Sequence, residues 1–202
     1  MVAARSRVLT IPNLISVARL LCVPVFLWML WEPHPARRGA AVLLAVLGAT
    51  DWVDGWIARR FDQGSELGKI LDPTADRALL VAAAVALLRE GLATGIQVIL
   101  WLVLAREVLV AIATVALAVA GARRIDVVWA GKAGTLALMI ALPMFLIADA
   151  AHSVRTGFEV LGWGFAIGGI VLGYYAAAKY VPAARAALRE GRTARVDAEV
   201  AR

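Results

Sequence analysis

The chain has 202 residues, 62% of them hydrophobic, a mean hydropathy of +0.79 and a formal net charge of +6. Soluble domains carry about 45–50% apolar residues, so a water-soluble globular protein is excluded and an integral membrane protein is expected. The single Cys22 excludes an intrachain disulfide and, standing in an apolar run, gives no basis for a zinc site.

A helix needs about 20 mostly apolar residues to cross a hydrocarbon core. Such windows fall at 13–31, 39–58, 73–89, 95–120, 132–150 and 158–181. They predict an all-α integral membrane protein, a bundle of six transmembrane helices joined by short loops. The first window is too long and too embedded for a cleaved signal, with no small-residue cleavage site after it, and is expected to be retained. Residues 1–12 then read as a cytoplasmic or interfacial N-terminal segment and 13–181 as one six-helix domain. Residues 182–202 read as a basic cytoplasmic tail, a frayed or interfacial helix without chemistry. No internal repeat, Gly/Ser linker or second domain is evident.

Short cytoplasmic loops carry the excess of Lys and Arg. Six spans put Arg5, Arg7, Arg59, Arg60, Lys69, Arg77, Arg123, Arg124, Lys132, Lys179 and the tail arginines on one side, against Arg37, Arg38, Arg89 and Arg155 on the other. Both termini and the loop after the second span are therefore expected in the cytoplasm, with the chain in the plasma membrane. The basic residues suit anionic lipid or nucleotide phosphate as well as topology; no nucleic-acid partner is expected.

The second and third spans hold the unusual residues. Asp51 and Asp54 are three apart, and Asp72 and Asp76 four apart, so on two helices each pair projects from one face at adjacent turns. Four carboxylates converging at membrane depth must protonate, line water or bind cations. The donors are all oxygens, with no His or Cys near, which suits Mg²⁺ or Mn²⁺ better than zinc. Two such ions form the arrangement that clamps a phosphoryl group during in-line displacement, pointing to phosphate chemistry at the cytoplasmic interface. Against this, Asp72 before Pro73 could simply cap a helix whose first residue is the proline. Intramembrane acids could also line the ion path of a cation-coupled transporter. The small Gly55 and Ala58 could serve close helix packing or let a ligand approach the backbone, and Arg59 could meet a phosphate with its planar fork.

Written out, the stretch is Asp51-x2-Asp54-Gly55-x2-Ala58-Arg59-x8-Gly68-x3-Asp72-x3-Asp76. It resembles, at every fixed position, the signature of the CDP-alcohol phosphotransferases. At background residue frequencies, eight positions would fall into register by chance about once in 10⁷ to 10⁸ chains. The resemblance implies a six-helix bundle with a polar cavity open to the cytoplasm and two divalent cations beneath the pyrophosphate of a CDP-linked donor. It implies Asp51, Asp54, Asp72 and Asp76 as metal ligands, with Asp76 also as the general base. It implies Gly55, Ala58, Arg59 and Gly68 as lining of the CDP site and Ser65 as a further nucleotide contact.

The resemblance covers most of the chain. LTIPNLISVARLLCVPVFLW, with Asn13, Ser16 and Arg19 three apart, is similar to the opening of the branch that makes phosphatidylglycerophosphate and cardiolipin. LAREVLV and WAGKAGT are similar to its fourth and fifth helices, with Arg106, Glu107, Lys132 and Thr135 at matching positions. The resemblance implies CDP-diacylglycerol as donor, release of CMP, a glycerol-type acceptor, contact with membrane lipids and a homodimer. The wording of the segments leans to cardiolipin synthase, with phosphatidylglycerol as acceptor; the alternative is glycerol 3-phosphate. Asn13, Arg19, Arg106 and Lys132 become candidates for the acceptor or its phosphate. Arg19 and Arg106 are the Lys or Arg residues placed inside spans, where each needs a partner or a wet cavity. For Arg106, pairing with one of the four motif carboxylates or with the neighbours of Glu107 on another helix is the alternative to phosphate; for Lys132 it is snorkelling. A transporter would not require the Gly/Ala/Arg spacing of the motif and would more often carry an internal repeat.

Overall fold

In the computed structural model the residues described are 10–32, 36–60, 68–119 and 129–200, side chains excepted at 11, 12, 51, 52, 54–59, 69, 70, 72, 73, 116–119 and 180–200. Six α-helices carry this part of the chain: α1 (Ile11–Trp31), α2 (Arg37–Arg60), α3 (Gly68–Arg89), α4 (Thr94–Val119), α5 (Trp129–Ala150) and α6 (Arg155–Val200). A single 3₁₀ turn, His152–Val154, stands between α5 and α6.

Local chemistry sets the helix ends. Thr10 caps α1, its hydroxyl accepting the Asn13 amide at 3.4 Å, and Pro12 occupies the first turn, where its missing N–H costs nothing. At the α3–α4 junction the Glu90 amide bonds the Leu87 carbonyl at 3.2 Å, and Gly91 then takes a left-handed φ of +67°, which a side chain would oppose.

The expected windows fall on helices, residue 120 of the fourth lying outside the described residues. Among the described residues, four stretches are long and apolar enough to cross a membrane unaided, in α1, α4, α5 and the segment His152–Lys179. The helices α2 and α3, of 24 and 22 residues, are long enough for the ~30 Å core. Both carry acids and bases that dilute their apolar runs. At its far end, α6 has 46 residues and would extend roughly 69 Å, over twice the hydrocarbon thickness. Residues 182–200 lie within this helix.

Polarity is inverted relative to a soluble bundle. On α1, Leu14, Val17, Leu21, Val25 and Trp28 are exposed at helical spacing, while Asn13, Ser16 and Arg19 are buried. Outside lipid this arrangement would be untenable; within it, apolar side chains meet tails and polar ones meet each other. The apolar core lies between, through Phe26, Leu44, Leu79, Leu87, Leu100, Leu142 and Phe145. Here α1 packs on α2 and α3, α2 on α5, α3 on α4, and α4 and α5 on α6.

The α5–α6 contact is the closest of these. A Cβ placed on Gly134 would lie 2.8 Å from the Gly169 carbonyl oxygen and 2.9 Å from the Gly173 nitrogen. Only the absence of side chains lets these two backbones meet, the small-residue packing that joins helices in membranes. Further along, Phe145 meets Trp163 edge to face, with centroids 5.7 Å apart.

At one end of the bundle, Arg37 of α2 donates through Nε to Glu90 and through Nη1 to Asp149, each at 2.6 Å. Arg38 Nε donates to the Ala150 carbonyl at 3.1 Å, and Arg89 stacks 4.8 Å from the centre of the Trp31 ring. The start of α2 is thereby tied to the ends of α3 and α5, so α2 runs antiparallel to both.

Candidate active site

That antiparallel arrangement decides where the motif lies. The C-terminal half of α2, with Asp51, Asp54, Gly55, Ala58 and Arg59, and the N-terminal half of α3, with Gly68, Asp72 and Asp76, share the end of the bundle opposite the Arg37 cluster. Both aspartate pairs stand on continuous helix, as their spacing predicts. The side chains of Asp51, Asp54, Gly55, Ala58, Arg59 and Asp72 lie outside those described, and Ser65 outside the described residues altogether. The capping alternative for Asp72 does not hold. Helix α3 begins at Gly68, four residues earlier, so Asp72 is a full turn inside it.

Asp76 is half-buried, and its Oδ1 accepts a hydrogen bond from Nη1 of Arg19, which is itself buried. The two are 57 positions apart in sequence. The pairing joins α1 to α3 and supplies the partner that a guanidinium inside a span requires. Asn13 and Ser16, one and two turns before Arg19, are buried on the same helix.

A second polar node lies between α4, α5 and α6. Arg106 Nη1 donates to Glu107 Oε1 and, at 3.2 Å, to Thr135 Oγ1; its Nη2 donates to the Gly131 carbonyl at 3.4 Å. The Thr135 hydroxyl donates in turn to the Gly131 carbonyl at 3.1 Å. Arg106 and Glu107 are only 7% and 5% exposed, and the position of a Cβ on Gly173 would come within 3.1 Å of Arg106 Nε. Arg106 is thus held by a neighbouring helix, through Thr135 and the Gly131 carbonyl of α5, and by a carboxylate of its own helix. The pairing carboxylate is the adjacent Glu107. Lys132, one residue after Gly131, is exposed.

The structure therefore brings together Arg19 with Asp76, and Arg106 with Glu107, Thr135 and the start of α5. Sequence reasoning missed the glycines Gly131, Gly134, Gly169 and Gly173 that let α5 and α6 close on Arg106. The pair Gly169-x3-Gly173 was the available signal. Among the described residues no group of three or more His, Cys, Asp or Glu side chains gathers around a point, the tetrad being largely outside that description. The fit to a metal rests on donor chemistry: four carboxylates and no softer ligand match Mg²⁺ or Mn²⁺.

An all-helical membrane chain with this aspartate motif at one end of α2 and α3 defines a membrane-embedded phosphotransferase class. The family model for CDP-alcohol phosphatidyltransferase matches residues 9–174, and the chain belongs to that family of enzymes. Among its relatives, a cardiolipin synthase (CMP-forming) of Streptomyces coelicolor is 40% identical over 188 residues, covering 91% of this chain and 86% of that protein. A putative cardiolipin synthase of Mycobacterium tuberculosis is 33% identical over 172 residues, covering 84% and 79%. A CDP-diacylglycerol–glycerol-3-phosphate 3-phosphatidyltransferase of Pseudomonas fluorescens is 32% identical over 170 residues, covering 81% and 85%.

Proposed function

We propose that the chain transfers the phosphatidyl group of CDP-diacylglycerol to phosphatidylglycerol, forming cardiolipin and releasing CMP. The observation that carries the acceptor is the 40% identity over 91% of the chain to a CMP-forming cardiolipin synthase. A second reading, glycerol 3-phosphate as acceptor and phosphatidylglycerophosphate as product, is favoured by the relative at 32% identity with that name.

In this reading all six helices cross the membrane, both termini are cytoplasmic, and a polar cavity opens to the cytoplasm between α2 and α3. The excess of Lys and Arg at that end supports the orientation. Asp51, Asp54, Asp72 and Asp76 would hold two divalent cations, Mg²⁺ or Mn²⁺, which supply electrostatic stabilisation to the pyrophosphate and to the charge that develops in transfer. Gly55, Ala58 and Gly68 leave room for the nucleotide, while Arg59 and Ser65 meet its polar groups.

A hydroxyl oxygen of the acceptor attacks the phosphorus that bears the diacylglycerol. The bond from that phosphorus to the bridging oxygen breaks, CMP leaves with the electron pair, and Asp76 takes the hydroxyl proton. Arg19 acts through Asp76 by fixing its carboxylate, a role supported by their hydrogen bond. Arg106, held to Thr135 and to the Gly131 carbonyl, sets the first turn of α5 and so the place from which Lys132 reaches the acceptor. Asn13 completes that side of the cavity. The working unit is a homodimer in this reading.

The test is an assay of purified protein with CDP-diacylglycerol and Mg²⁺, offering radiolabelled phosphatidylglycerol and glycerol 3-phosphate separately and resolving the lipid products. Cardiolipin from the first is the expected result. Phosphatidylglycerophosphate from the second alone would replace the acceptor, and no CMP release with either would overturn the proposal.

A further inference from the structure

The apolar core ends in the same way on two neighbouring helices. On α3, Leu87, Ala83 and Leu80 form one buried row, and the next position on that row, four residues on, is Asp76. On α4, Ile96, Leu100 and Val103 form a second row with the same spacing, and its next position, again four residues on, is Glu107. The two helices pack together and run antiparallel through the short connection 90–93. Asp76 stands 13 residues before Arg89, the end of α3, and Glu107 stands 13 residues after Thr94, the start of α4. Each carboxylate is therefore about 20 Å along its helix from that connection. The two share one level, where the core gives way to the motif end of the bundle.

Glu107 uses only half of its carboxylate. Its Oε1 accepts from Arg106 Nη1, and its side chain is 6% exposed. Its Oε2 is buried with no hydrogen-bond partner among the described residues. Arg106 Nε is also buried without one, but α6 closes over it, a Cβ position on Gly173 lying 3.1 Å away. An unmet carboxylate oxygen inside a membrane bundle is costly unless a donor arrives to meet it. A carboxylate bound to a guanidinium offers acceptor sites alone, so the group that completes it must donate. A hydroxyl does so; a phosphate, anionic and rich in acceptors, does not.

We infer that Glu107 Oε2 accepts the secondary hydroxyl of the acceptor's glycerol, the one adjacent to the primary hydroxyl that Asp76 deprotonates. The inference rests on the reading of Asp76 given above and adds to it a residue that determines specificity. Phosphatidylglycerol and glycerol 3-phosphate both carry this hydroxyl, so the contact does not choose between them. It selects a glycerol over an alcohol that lacks the neighbouring hydroxyl, and it turns the primary hydroxyl toward Asp76 at the same level.

The experiment uses the full chain in lipid nanodiscs with Mg²⁺ and CDP-diacylglycerol, and measures acceptor-dependent CMP release. Phosphatidylglycerol is compared with phosphatidyl-1,3-propanediol, which lacks only the secondary hydroxyl, and glycerol 3-phosphate with 3-hydroxypropyl phosphate. Loss of the hydroxyl is expected to lower kcat/KM by about 10–100-fold, the range of a hydrogen bond to a charged group. In Glu107→Gln that ratio should shrink by about tenfold, through slower use of the glycerol acceptor. Thr135→Val loosens Arg106 without touching Oε2, and should slow both acceptors while leaving the ratio unchanged. If Glu107→Gln does not fold, Glu107→Asp, which withdraws the carboxylate by one methylene, must narrow the ratio instead. Equal use of both acceptors by the unaltered protein would mean that Oε2 meets water only and would overturn the inference. So would a ratio that survives the change at Glu107, or one that Thr135→Val narrows equally. CMP release without discrimination refutes the hydroxyl contact alone, whereas absence of CMP release with every acceptor refutes the transferase reading separately.

Discussion

Gly134→Ala tests the close backbone contact between α5 and α6. The added Cβ would sit 2.8 Å from the Gly169 oxygen, 2.9 Å from the Gly173 nitrogen and 3.3 Å from the Gly173 Cα. All three are backbone atoms, so no rotamer change relieves the clash. Ordinary contact begins near 3.4 Å, so α5 and α6 must separate by about half an ångström along a well-packed seam. Overpacking of this kind costs about 1–3 kcal/mol. For a chain of about 200 residues, each kcal/mol lowers the melting temperature by about 2–4 °C, giving an expected fall of roughly 2–12 °C in detergent. Gly164→Ala on the same α6 is the control. Nothing lies within 4 Å of its Cβ position, and replacing a mid-helix glycine by alanine stabilises by about 0.5–1 kcal/mol. Because Gly131 and Thr135 flank Gly134 and hold Arg106, separation should also raise the KM for the acceptor more than that for CDP-diacylglycerol. A Gly134→Ala protein that melts with or above the Gly164→Ala control would refute the packing argument.

Asp76→Asn should retain CDP-diacylglycerol binding while turnover falls by about 10²–10⁴-fold, whereas Asp51→Asn should weaken metal-dependent donor binding too; near-normal kinetics in both would displace the site. Activity should vanish in excess chelator and return with Mg²⁺ or Mn²⁺, and persistence in chelator would remove the two-cation reading. Glu107→Leu leaves the buried Arg106 without its carboxylate and should cost about 3–5 kcal/mol, read as a lowered melting temperature, with Glu107→Gln milder. Arg37→Ala frees Glu90 and Asp149, but the Arg37 side chain is 35% exposed, so a loss of only about 1–2 kcal/mol is expected. Since that cluster stands at the end away from the aspartates, kcat of the folded fraction should be unchanged.

The helices themselves were legible because long apolar windows admit few alternatives, and each expected window lies on a helix. The start of α3 was not. Pro73 after Asp72 carries the signal of a first turn, yet the helix begins at Gly68 and places the proline a turn inside. The spacing of three puts Asn13, Ser16 and Arg19 on one face of α1, and that face is buried. Their destination did not follow. Arg19 meets Asp76 across 57 positions and Arg106 meets Thr135 across 29, contacts that depend on how α1, α4 and α5 are arranged. Lys132 and Thr135 drew attention in GKAGT, but the glycines beside them do the packing. A glycine names no partner in sequence, and the opposing Gly169 and Gly173 are more than thirty positions on.

The two ends of the bundle are built for different tasks. At the Arg37 end the helices join through brief segments, 90–93 and 151–154, and salt bridges bind α2 to the ends of α3 and α5. At the other end, seven residues separate α2 from α3 and nine separate α4 from α5. The buried charges follow the same division. Arg19–Asp76 and Arg106–Glu107 ion pairs are found within the bundle, where unpaired charge would be prohibitive; the first ties α1 to α3, and Arg106 ties α4 to α5 through Thr135 and the Gly131 carbonyl. Contacts of this kind inside the bundle hold Asp76 of α3 against α1 and the first turn of α5 against α4.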